Sequence, residues 1–187
     1  MRLFVAMELE QAVRKAMESL QKSLASACPD VRWVRPELMH LTLKFLGEVD
    51  DALAVGVTRA AGEVAAATGP FELAVGGCGC FPPRGDVRIV WAGTEEPTGV
   101  LAGCVQRLEA ALGELGFPAE SRAFSPHITI GRVREDHSRG KLRAAVAAAR
   151  LTPMTQHVAS IVVMCSELSR SGPTYTVVSR AAFAKKQ

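Results

Sequence analysis

Two short segments of this 187-residue chain repeat one pattern 87 positions apart: His40-Leu41-Thr42-Leu43 and His127-Ile128-Thr129-Ile130. Each alternates polar with apolar residues, the period-two signature of a strand with one face buried. A strand pattern that recurs in the second half of a chain points to two related lobes. The length suits one domain of ordinary size, or two small lobes sharing an interface. With 48% hydrophobic and 22% charged residues and no long polar tract, the chain is globular material able to bury a core.

The remaining periodicities give a mixed α+β order. Leu3 to Met7 is an apolar run that Glu8 and Glu10 interrupt, too short for a signal-peptide core or membrane span, and it reads as a strand of a cytoplasmic protein. From Glu10 to about Ala27 apolar residues recur at helical spacing (Val13, Met17, Leu20, Leu24), and Cys28-Pro29 ends the run. Val31–Val34 and Met39–Leu46 read as strands on either side of a Pro36-Glu37 turn. Asp50 or Asp51 caps a second helix running to about Ala67, ahead of a strand from Phe71 to Gly79 and a turn from Phe81 to Gly85. Further expectations are a strand at Val87–Ala92, a helix at Thr98–Leu115, a strand at Ser125–Val133 and an Ala-rich helix at Lys141–Arg150. Strands at His157–Cys165 and Thr174–Phe183 follow, separated by the turn Ser171-Gly172-Pro173.

Side-chain alternation sends His40, Thr42 and Lys44 to one face of their strand and Met39, Leu41, Leu43 and Phe45 to the core. The same parity puts His127 and Thr129 on one face against Ile128 and Ile130, with Gly131 leaving room beside the histidine. A lone His-x-Thr on a strand is ordinarily structural, whereas two copies in equivalent halves and the same register point to a shared site. Imidazole titrates near pH 6.5, so one histidine can accept a proton while its partner, beside an anion, stays charged and donates one. The hydroxyls of Thr42 and Thr129 can each donate a hydrogen bond to a phosphate oxygen, and Arg132 or Lys44 can offset the charge. This chemistry calls for no metal and no cofactor.

Other groups read as scaffold. Cys28, Cys78, Cys80, Cys104 and Cys165 are odd in number and lack Cys-x-x-Cys spacing, which argues against disulfides or structural zinc and for reduced core thiols. His137 and His157 have no following threonine and are left out of the site. Arg134, Arg139, Lys141 and Arg143 read as solvated surface, and a net charge of +3 is too mild for a dedicated nucleic-acid binder.

At these residues the chain resembles the two-histidine (2H) phosphoesterase superfamily, specifically its RNA 2',3'-cyclic phosphodiesterases, once called 2'-5' RNA ligases. The resemblance covers nearly the whole chain: the opening Arg2-Leu3-Phe4-Val5-Ala6, His40 through Glu48, Ser125-Pro126 through Arg132, a central block of Phe81-Pro82 and Arg88 through Gly93, and a closing block from Ser166 to Tyr175. Gly131 departs from it, since relatives often carry alanine there. The resemblance implies one domain over residues 1–187, a bilobal α+β fold with two pseudo-symmetric lobes whose antiparallel sheets face a central cleft. It implies opening of a terminal 2',3'-cyclic phosphate to a 2'-phosphate, with His127 activating water, His40 protonating the departing O3', and Thr42, Thr129 and Arg132 holding the phosphate. The expected partners are RNA ends or nucleotides bearing a cyclic phosphate, with no membrane, no obligatory protein partner and a monomeric state. Ligation of the cyclic phosphate to a 5'-hydroxyl, or non-catalytic binding of RNA ends, would use the same groups.

Overall fold

The computed structural model describes residues 1–26, 28–170 and 172–185. In chain order it contains β1 (Arg2–Glu8), α1 (Gln11–Ala25), β2 (Val31–Trp33), β3 (His40–Glu48), α2 (Asp51–Ala66), β4 (Phe71–Phe81), β5 (Ile89–Glu95), α3 (Val100–Glu114), β6 (His127–Val133), α4 (Lys141–Ala148), β7 (Met154–Val158), β8 (Ser160–Ser169) and β9 (Gly172–Ala182). α1 buries Val13, Met17, Leu20 and Leu24 along one stripe. The Asp50 carboxylate accepts the Leu53 backbone N–H at 2.7 Å and so satisfies a donor that the first turn of α2 leaves free.

All strand pairs are antiparallel, in the order β7-β4-β5-β6-β3-β1-β8-β9, with β2 also paired to β6. The sheet has two halves that meet where Leu41 of β3 pairs with Ile128 of β6. One half, β3-β1-β8-β9, buries Leu41, Leu43, Val57 and Leu108 against α2 and α3. The other, β6-β5-β4-β7, buries Val90, Ile128, Met17 and Leu142 against α1 and α4. These halves are the two expected lobes, joined into one sheet rather than standing as separate sheets.

Neither half is a contiguous stretch of chain. Adding 87 to β1 gives β5, and adding it to the start of β3 gives the start of β6. In the same order α1, α2 and β4 of the first repeat correspond to α3, α4 and β8 of the second. Yet α1 and β4 pack with β5 and β6, while α3 and β8 pack with β1 and β3. Each repeat therefore lends one helix and one strand to the other's half.

Several expected boundaries move. The run from His157 to Cys165 is two strands, because the chain leaves β4 and joins β1 at Ala159 with no turn residue to announce it. His157 consequently lies inside β7, while Phe81 ends β4 instead of opening a turn. The next strand begins at Ile89, not Val87. The helix end near Ala27 and Ser171 of the expected turn lie outside the described residues. Among those described, no helix is long and apolar enough to cross a membrane.

Candidate active site

β3 and β6 run antiparallel away from the Leu41–Ile128 pair, which carries His40 toward Thr129 and His127 toward Thr42. All four side chains line one cleft of about 1100 Å³ between the halves of the sheet. The structure thus brings together the two histidines and two threonines singled out in the sequence.

Both imidazoles are anchored alike. Nδ1 of His40 lies 2.8 Å from the Leu38 carbonyl oxygen and Nδ1 of His127 lies 2.7 Å from the Ser125 carbonyl oxygen, each two residues upstream. A carbonyl only accepts, so each Nδ1 carries a proton and Nε2 is the nitrogen left for exchange. Among the described residues neither threonine hydroxyl has a hydrogen-bond partner, so both remain free to donate into the cleft.

Aromatic rings fix the imidazole planes. His40 packs on Phe4 at 4.8 Å between centroids and meets Tyr175 edge-on at 5.3 Å. His127 meets Phe81 edge-on at 5.1 Å, and Phe81 leans on Trp91. Trp91 reaches that position by lying over Gly79, where a Cβ would stand 2.3 Å from the indole Cζ2. Burial pushes the His40 imidazole below the ordinary histidine value; the Leu38 hydrogen bond opposes this, while Arg132 and Arg14 add to it.

Strict alternation fails at the same point in both strands. Opposite β1, Thr42 pairs with Ala6 but Lys44 with Val5, leaving Leu43 as an extra residue; opposite β5, Thr129 pairs with Trp91 but Gly131 with Val90, leaving Ile130 extra. Each extra residue is a bulge that flips the parity beyond it. Phe45 therefore shares the cleft face with His40 and is 58% exposed instead of buried in the core.

Lys44 correspondingly faces α3 and is only 3% exposed, in the wall of the cleft that Glu109 also lines. Its ammonium donates to both Glu109 carboxylate oxygens at 2.9 and 2.8 Å and to the Pro118 carbonyl at 2.8 Å, so it is committed elsewhere than to a phosphate. Gly131 is likewise turned from the histidine face: a Cβ there would stand 2.5 Å from Val31 Cγ1, so the space expected beside the histidine is filled by β2. The bulge brings Arg132 onto the cleft face beside Ile89 and opposite Arg32.

The groups left out of the site stay out. His157 pairs with Glu72 and His137 with Glu135 on the surface. Arg143 donates to the carbonyls of Pro82 and Gly85, and neither it nor Arg134, Arg139 or Lys141 lines the cleft. All five cysteines are free, and burial pushes the Cys80 thiol up to about 11. Missed from the sequence were the contacts of Phe4, Tyr175 and Phe81 with the histidines. All three lie in segments that carry the family resemblance, but only strand order brings them to the imidazoles.

Two consecutive stretches, residues 7–91 and 93–175, match the family model described as LigT like Phosphoesterase, one His-x-Thr in each. A Methanothermobacter thermautotrophicus protein named RNA 2',3'-cyclic phosphodiesterase is 31% identical over 176 residues, which is 94% of this chain and 95% of that one. A Thermus thermophilus crystal structure superposes with a TM-score of 0.84 at 27% identity, covering 100% of both chains. Escherichia coli LigT complexed with 3'-AMP superposes with a TM-score of 0.77 at 25% identity, covering 97% of each.

Proposed function

Because this chain belongs to the LigT-like phosphoesterase family, we propose that it hydrolyses RNA 2',3'-cyclic phosphate ends to a 2'-phosphate, with His40 and His127 as its acid/base pair. The observation that carries the reading is the matched anchoring of the two imidazoles, each with Nδ1–H on a carbonyl and Nε2 free, on equivalent strands of one cleft.

Water attacks phosphorus while His127 Nε2 takes its proton; the P–O3' bond breaks and His40 Nε2 delivers a proton to O3'. Exchange with solvent then returns both rings to their starting states. Thr42 and Thr129 donate hydrogen bonds to the non-bridging oxygens, and Arg132 offsets the phosphate charge. Before substrate binds, burial holds His40 toward its neutral form. The negative charge of the cyclic phosphate stabilises the imidazolium, so His40 takes up its proton as substrate binds.

One chain supplies both motifs, and in this reading it works as a monomer, in the cytoplasm, without cofactor or obligatory protein partner. The test is product analysis. An oligoribonucleotide ending in a 2',3'-cyclic phosphate is expected to yield a 2'-phosphate end. A 3'-phosphate product would overturn the regiochemistry, joining to a 5'-hydroxyl RNA would favour ligation, and tight binding without turnover would leave only an RNA-end binder.

A further inference from the structure

Arg32 of β2 and Arg132 of β6 are direct cross-strand partners. Both are exposed and both line the cleft. Among the described residues neither forms an ion pair or a hydrogen bond, so two like charges stand directly opposite each other across the strand pair. Like charges directly opposed on a sheet repel, and an anion lodged between or beside them removes that cost.

Arg32 also reaches beyond its own half of the sheet. A Cβ built on Gly172, whose φ is +116°, would stand 2.9 Å from Arg32 Nη2. The guanidinium therefore extends to the start of β9, next to Pro173 and Tyr175 at the edge of the cleft. The residue equivalent to Arg132, 87 positions earlier, is the apolar Phe45, so the arginine pair has no counterpart on the first repeat's strand. Arg32 and Arg132 thus stand together on the cleft face on the His40 side, while Arg122 lines the cleft from the loop that precedes His127.

A cyclic phosphodiester carries one negative charge, which Arg132 and protonated His40 already face. Arg32 exceeds what a single phosphate needs, whereas an RNA end brings a second phosphate one nucleotide upstream. Resting on the function proposed above, we infer that Arg32 holds this upstream phosphodiester and makes the enzyme prefer RNA ends to free cyclic nucleotides.

The test compares kcat/KM for three substrates: a nucleoside 2',3'-cyclic phosphate, a dinucleotide ending in one, and the same dinucleotide with an uncharged methylphosphonate linkage. The wild type is expected to favour the charged dinucleotide over the other two by roughly tenfold to a hundredfold, the span of one charge-assisted hydrogen bond to phosphate. Arg32→Gln should bring that ratio close to one, and Arg32→Lys should restore part of it. Arg32 is exposed, so folding is expected to survive, which a thermal melt of each variant checks. An unchanged ratio in Arg32→Gln, or no wild-type preference for the charged linkage, overturns the role of Arg32 alone. A wild type that turns over none of the three overturns the proposed function instead.

Discussion

Leu41 and Ile128 face each other where β3 meets β6, and they are separated by the same 87 residues as the two histidines. The pair marks a local two-fold relation between the repeats. Each histidine is carried toward the other repeat's threonine, so the site exists only when both repeats are folded together.

Because α1 and β4 pack with the second repeat's strands and α3 and β8 with the first's, neither repeat holds a complete core. Fragments 1–97 and 98–187 made separately should lack a cooperative thermal transition by circular dichroism and should regain it when refolded together. A cooperative melt of either fragment alone would contradict the interlocked arrangement.

Lys44 and Glu109 form an ion pair with side-chain exposures of 2% and 23%. Removing one partner of a buried pair costs about 3–5 kcal/mol, and the partial exposure of Glu109 puts Glu109→Gln at the lower end. Replacing both, as Lys44→Met with Glu109→Leu, should recover most of the loss in denaturant titrations. The double variant should also keep near-normal kcat, since the Lys44 ammonium is taken up by Glu109 and the Pro118 carbonyl; a large fall would restore Lys44 to the phosphate site.

The electrostatics of His40 set a pH dependence. With its folded pKa held below the unfolded value of about 6.5, the native state binds fewer protons there than the unfolded chain. The contribution of His40 to stability is therefore complete above about pH 6.5 and is lost as pH falls through the lowered value. Thermal melts should show the wild type losing stability on acidification faster than His40→Asn. Binding of a nucleoside 2',3'-cyclic phosphate, whose diester does not titrate near neutrality, to His127→Asn should take up a proton in calorimetry run in buffers of different ionisation heat. Absence of uptake would mean that the phosphate does not charge His40. The kcat profile should be bell-shaped, its limbs belonging to the coupled pair.

What was legible in the sequence, and what was not, follows from the range of the forces involved. His40, Thr42, His127 and Thr129 could be read because alternation is local and the pattern occurs twice. The flips at Phe45, Lys44, Gly131 and Arg132 could not, since a bulge is defined by the partner strand, and Leu43 and Ile130 look like ordinary strand residues. The break at Ala159 escaped for the same reason: it marks a change of partner, not a turn. Arg32 sat in a short β-prone run whose place beside Arg132 depends on pairing a hundred residues away.

The proposed reaction needs two imidazoles and hydrogen-bond donors, with no metal in any step. Turnover should therefore persist in excess EDTA, followed with a nucleoside 2',3'-cyclic phosphate. A loss that a divalent ion restores would require a different mechanism.

The most direct measurement is kcat for hydrolysis of an RNA 2',3'-cyclic phosphate end by His40→Ala and by His127→Ala, each verified as folded. Each should fall by about 10² to 10⁴, the usual contribution of a positioned general acid or base. The double variant should lose little more than either single one, because the two transfers belong to one displacement. Near-normal turnover by either single variant would contradict the two-histidine account.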